Sequence, residues 1–405
     1  MMKQIVQVSF LTTLLCLLSA CGGRETVAPF WEQKTQPNST NPYKFARNFD
    51  MIADPAGDLV SLGNLTVDAD PSTPALDSEH VIILTKQQPE DGSLIWESIL
   101  PFPNGGFSLY EVESDDEGNL YVAGEGFVLK TDSYGQLLWQ QSFEPGQMTV
   151  TSITLKNDLV YVSGHSTRIY DVHGNLQLTI DNGDIYPWEV VVTDNSDIIQ
   201  ATWNSITRHD AAGNLLWSVP APDNVTTRAV VELDDQDDIY VSYVGNDDPG
   251  GTSASSKLLK ISGEGDVQWT ALIPDNRGTG DYFKAGKVEI YLTSDNQLLN
   301  VASGKGGRQL TRLNKDTGAM IWERVYTGEG VIDDSYLTED DVLYVAGDSN
   351  PQSFDRNGNL MDTFAMPDST FRNSLVMDND RFYVAGNVYE NEIFKLYTAA
   401  FPRSE

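Results

Sequence analysis

Cysteine is nearly absent from this chain, with two in 405 residues. That is too few for a disulfide framework, a four-ligand zinc site, or a Cys–His catalytic set. Histidine is almost as scarce: His80, His165, His173 and His209 are the only four, scattered so widely that neither a triad nor a His-based metal centre is expected. His173 and His209 fall in or beside Asp-initiated turns and read as surface or turn residues. Positive charge is also in short supply. The 26 Lys and Arg face 59 Asp and Glu, a formal net charge of −33, which excludes a nucleic-acid binder because phosphate recognition depends on displacing counterions with Lys and Arg. Apolar runs long enough to cross a bilayer, about 20 residues, are missing, as is helical periodicity beyond residue 21. Apolar residues at 40% and charged residues at 21% make an ordinary globular mix, which excludes wholesale disorder. The length suits two or three compact domains or one large repeat fold.

The first 21 residues, MMKQIVQVSFLTTLLCLLSAC, place Lys3 before an apolar stretch over 8–18, the layout of a secretory signal. The stretch ends Leu18-Ser19-Ala20-Cys21 and is followed by Gly22-Gly23. This resembles the lipobox of bacterial lipoproteins, and the resemblance implies removal of residues 1–20 and acylation of Cys21. Cys16 leaves with the signal. The absence of Asp after Cys21 implies an outer-membrane address, on the periplasmic side. The domain reading is signal 1–20, lipid-anchored linker 21–28, and a single folded domain over 29–400.

Self-similarity decides the fold class. Gly followed four residues later by Trp recurs at Gly92/Trp96, Gly135/Trp139, Gly213/Trp217, Gly265/Trp269 and Gly318/Trp322. Degenerate copies sit at Gly174, with Leu178 in the Trp slot, and at Gly358. A second motif alternates with it: NLYVAG (119–124), LVYVSG (159–164), DIYVSY (238–243), VLYVAG (342–347) and RFYVAG (381–386), with weaker copies at 58–63, 197–202 and 297–303. Period-2 alternation marks these segments as strands. With the apolar runs between them they make four short strands every 40–50 residues, the signature of a β-propeller. Eight copies of the second strand face only seven Gly-x-x-x-Trp-type fourth strands. The missing one is at the other end, where Ala28-Pro29-Phe30-Trp31-Glu32 reads like the LIWES and MIWER segments. The expectation is all-β: an eight-bladed propeller of four-stranded antiparallel blades, closed by strand 29–36 pairing with 391–398.

At these residues the chain resembles the pyrroloquinoline-quinone-type (PQQ) propeller repeats, NKDTGAMIW (314–322) being close to their Asp-x-x-Thr-Gly-x-x-x-Trp core. The resemblance implies two relatives: quinoprotein dehydrogenases, which hold PQQ and calcium, and the eight-bladed lipoprotein of the outer-membrane barrel assembly machinery, a non-enzymatic scaffold. The dehydrogenases carry adjacent cysteines beside PQQ, and the chain after residue 20 has only Cys21. No enzyme activity and no cofactor are therefore expected, and no catalytic or metal-binding residue is singled out. The regular tryptophans read as inter-blade packing. The Asp-x-x-Gly turns at Asp132, Asp171, Asp210 and Asp355 read as turn chemistry, calcium being the alternative, with Asp234-Asp235-Gln236-Asp237-Asp238 its best case and otherwise a solvated loop. Gly304-Lys305-Gly306-Gly307 lacks the spacing of a phosphate loop.

Three lengthened connections, 68–79, 246–256 and 274–285, should leave the same face of the ring, away from the lipid. They carry Asp70, Asp77, Asp247, Asp248, Asp275 and Asp281 against Arg277 and Lys284, which favours a basic or cation-bridged partner. The alternative is that they bind nothing. The functional expectation is a monomeric, lipid-anchored, non-enzymatic envelope scaffold that binds another protein, outer-membrane protein assembly being one setting for it. The alternatives are an envelope ligand- or cation-binding module, or an enzyme working at the channel mouth.

Overall fold

The computed structural model describes residues 26–404, apart from 36–42, 69–77, 104–108, 144–149, 183–186, 247–253, 275–286, 305, 329, 368–369, 379 and 391–392. Eight four-stranded antiparallel sheets form the blades of a propeller, and no α-helix occurs among the described residues. Blades one to seven each take four consecutive strands, in order from the channel outward. Blade one runs Tyr43–Ala53, Leu59–Asp68, Ser78–Gln87, Leu94–Pro101. Blade eight takes Thr370–Met377, Arg381–Glu390 and Ile393–Pro402 from the end of the chain and Trp31–Thr35 from its start. The closing strand is antiparallel to its neighbour, with Trp31 opposite Ala400 and Thr35 opposite Leu396. The paired residues lie nearer the chain terminus than the anticipated 391–398, because the Phe30 N–H already bonds the Ala400 carbonyl at 2.7 Å.

The Gly-x-x-x-Trp repeat is the joint between blades. Each Trp sits on the outer strand and lies over the Gly turn of the following blade. In four of them the indole N–H donates to a carbonyl of that turn: Trp96 to Ser133, Trp139 to Val172, Trp217 to Gly263, and Trp269 to Lys315, all at 2.9–3.1 Å. Trp31 does the same for Pro89 of blade one at 3.0 Å, so the ring closes with the joint used elsewhere. The glycine serves twice. At Gly174 φ is +81°, and a Cβ there would stand 2.7 Å from the Trp139 ring. In the degenerate copy, Leu178 covers Gly213 instead.

Blade eight has no turn between its third and outer strands, since these come from opposite ends of the chain, so nothing there needs a Trp. Asp362 accordingly occupies the Trp slot of blade seven. The seam is filled by Phe364, Phe382, Phe401 and Tyr344, with Phe364 and Phe382 4.4 Å apart edge to face. Rings in this geometry add about 0.5–1.5 kcal/mol per pair beyond their burial.

Candidate functional site

The residues singled out from the sequence, Cys21, Asp70, Asp77, Asp247, Asp248, Asp275, Arg277 and Asp281, lie outside the described residues. The strands flanking the three lengthened connections are described. Two connections join second to third strands, in blades one and five, and the third joins blade five to blade six. In an antiparallel blade those strand ends share one face of the ring, the face opposite the Gly turns.

The innermost strands carry a regular acidic position. Asp50 accepts the N–H of Val112 in the next blade at 2.9 Å. Glu111 accepts Ile153 at 2.9 Å, Glu189 accepts Val231 at 2.8 Å, and Asp334 accepts Leu375 at 2.8 Å. A backbone N–H at the channel edge has no strand to pair with, and a carboxylate from the preceding blade satisfies it. Ser374 returns the connection from blade eight to the Phe49 carbonyl of blade one at 3.2 Å. These carboxylates therefore brace the ring. Burial, with Glu111 nearby, holds Asp50 well above the usual carboxylate range.

Two carboxyls of the wall differ. Glu113 and Glu232 accept no hydrogen bond among the described residues. Burial, helped by Glu111, pushes Glu113 up to about 8, and burial pushes Glu232 up to about 7. Glu232 lines a cavity of about 450 Å³ with Tyr291, Tyr336 and Glu339, where the innermost strands of blades six and seven run into their first turns. An adjoining cavity of about 550 Å³ shares Tyr336 and Glu339 and continues to Met377 and Arg403. This mouth offers carboxyl groups beside aromatic faces, a chemistry suited to a cation.

The acidic turns are mostly neutralised within the fold. Asp132, Asp171, Asp210 and Asp355 each accept two backbone N–H groups of their own turn. The 234–238 run is not the solvated loop its composition suggests. Asp234 is buried, caps its turn, accepts the Tyr240 hydroxyl, and pairs with Lys315 of the next blade at 2.9 Å. Asp238 pairs with Lys260 at 2.7 Å, and Asp237 with Arg208 at 3.4 Å. The third strand places a buried base at this height in several blades: Lys86, Lys130, Arg208, Lys260 and Arg312. His209 is likewise buried rather than on the surface, and burial lowers its pKa. Among the described residues no group of three His, Cys, Asp or Glu could hold a metal ion.

Residues 78–307 match a family model, PQQ_2, described as outer membrane protein assembly factor BamB. No curated protein matches the sequence. Among solved structures, the C-terminal WD40 domain of Sif2 superposes with a TM-score of 0.60 at 10% identity, covering 89% of this chain and 99% of that one. The Dos1 propeller gives 0.59 at 11% identity, covering 92% and 95%. At such identities these two show the fold alone. BamB from Moraxella catarrhalis is 12% identical, with 90% and 87% covered and a TM-score of 0.48.

Proposed function

The chain belongs to the PQQ_2 family, and from that premise we propose that it is a non-enzymatic propeller scaffold of the cell envelope. It is held to the outer membrane through lipid on Cys21 and binds other envelope proteins during outer-membrane protein assembly. The observation that carries this reading is the family match across more than half of the chain, whose model is described as an outer-membrane assembly factor. The wall chemistry supports it: four acidic positions of the channel wall, Asp50, Glu111, Glu189 and Asp334, are spent on backbone N–H groups of the neighbouring blade. The lengthened connections carrying Asp70, Asp77, Asp247, Asp248, Asp275, Arg277 and Asp281 remain the acidic binding surface of this proposal. Two acyl chains suffice for stable anchoring, and residues 22–28 reach at most about 25 Å.

Crosslinking in the envelope followed by purification tests the reading. Outer-membrane assembly proteins should be captured, and Cys21→Ser should release the protein from washed membranes. Tight PQQ binding with dye-linked alcohol oxidation, or an empty capture, overturns it. A second reading, a module for a small cationic ligand, is favoured by the mouth around Glu232 and Tyr336. Saturable binding of an organic amine, abolished by Glu232→Gln, would establish it.

A further inference from the structure

A propeller closes its ring but leaves one solvent-facing edge on the outer strand of every blade. Among the described residues blade seven is the exception. There Val27 bridges to Phe364 in parallel, its N–H bonding the Thr363 carbonyl and its carbonyl accepting from Ala365, both at 2.8 Å. Val27 and Met361 both pack against the blade seven–eight core. An extended piece of polypeptide has thus added itself to an outer strand, using one carbonyl and the N–H two residues on.

The pairing registers identify the same two groups elsewhere. Thr363 stands opposite Gln352, and in blade five the equivalent pair is Thr270 opposite Leu259, which makes Leu272 the counterpart of Ala365. Pro274 has no N–H, so its position turns away from the third strand. Alternation along the strand then turns Leu272 and Thr270 outward too. In other blades these positions are guarded. Glu97 and Glu323 replace Thr270 in blades one and six, and Glu32 does so in blade eight. Asp181 replaces Leu272 in blade three, and in blade four Pro220 removes the N–H altogether. Blade two's outer strand ends at Ser142, the equivalent of Leu272. Blade five alone keeps an eight-residue outer strand, VQWTALIP, without a charge. Val267 and Leu272 on it are 46% and 57% exposed. Charge, Pro and shortness are how proteins blunt sheet edges.

We propose that the outer edge of blade five, Val267–Pro274, is a strand-addition site. It takes an extended, weakly charged segment of another polypeptide as blade seven takes Val27. The inference rests on the scaffold reading and names the conformation of the partner. Main-chain bonds to Thr270 and Leu272 supply affinity, and the exposed Val267 and Leu272 select aliphatic residues.

The test uses the protein lacking residues 1–20 with Cys21→Ser, and a fluorescent peptide of alternating Thr and Val residues. A copy N-methylated at alternate amides is the control. The intact edge should bind the first peptide, reject the second, and show slowed hydrogen exchange at the Leu272 amide. Leu272→Pro, which copies Pro220, and Thr270→Glu, which copies Glu97, should each weaken binding about tenfold or more. Thr179→Glu on blade three should change nothing. Circular dichroism checks that all three variants fold. No binding, equal binding by all variants, or protection appearing on another blade overturns the proposal. Because the assay needs no envelope partner, an empty capture in the crosslinking experiment refutes the scaffold reading while a positive peptide result still stands.

Discussion

Replacing Gly174 by Ala tests the blade joint directly. The new Cβ would lie 2.7, 3.0 and 3.1 Å from three atoms of the Trp139 indole, on a backbone held at φ +81°. Left-handed backbone costs an L-residue about 1–2 kcal/mol, and forcing a packed ring aside costs about 1–3 kcal/mol more. The expected loss is therefore about 2–5 kcal/mol. Gly213→Ala has nearly the same φ, +82°, but meets the Leu178 side chain at 3.0–3.4 Å. Those methyls can rotate away, so its loss should stay near the backbone cost of about 1–2 kcal/mol. Trp139→Ala removes the indole and its bond to Val172, for about 3 kcal/mol. In the Trp139→Ala background Gly174→Ala should cost only the backbone share, giving a coupling of about 1–3 kcal/mol between the two sites. Urea denaturation of the four proteins of this cycle, followed by circular dichroism, measures it. Additivity within about 0.5 kcal/mol, or equal losses at Gly174 and Gly213, would refute the docking argument.

Trp31→Ala should loosen the closure of the ring, and hydrogen exchange should accelerate first in Ile393–Pro402, the strand paired with Trp31–Thr35. If blades two to six lose protection first, the closing strand is not the weak point. Glu113 and Glu232 stand above their ordinary values in the folded state, at about 8 and about 7, so the folded protein holds protons that the unfolded chain releases near pH 4. Stability should therefore fall as pH rises from about 4 toward 8, and Glu113→Gln with Glu232→Gln should flatten the decline in melting temperature; a decline unchanged in that double variant contradicts the assignment. Lys315→Met strands Asp234, whose side chain is 2% exposed, and should cost about 3–5 kcal/mol. Lys156→Met, whose partner Asp194 is 96% exposed, should cost less than about 1 kcal/mol, and similar urea midpoints for the two would count against the buried pair.

The blade count and the closing strand were legible in the sequence because each blade repeats one local problem: a tight turn needing positive φ, then a strand carrying an indole. Gly stands at all seven of these turns and Trp in five of the seven slots, so the pattern is readable at Gly92/Trp96 and Gly318/Trp322 alike, and Trp31 betrays the displaced strand. The braces were not legible. Asp50, Glu111, Glu189 and Asp334 each stand nine residues before the first residue of the YVAG-type strand, at Leu59, Leu120, Ile198 and Leu343, but the signal is a single Asp or Glu in otherwise unlike segments. In a chain with 59 carboxylates, that alone does not set these four apart.

The sequence by itself determined what repeats at short range: strands, turns, their order, and the joining of the two chain ends in one blade. The tertiary structure alone decided which long-range partner each polar group would meet. Lys315 reaches Asp234 across 81 residues, and Val27 lies beside Phe364. Asp362 is tolerated in a Trp slot because the next blade has no turn to cover. Turn and strand chemistry is written within a few residues, whereas the value of a charge or an open edge depends on what the closed ring brings beside it.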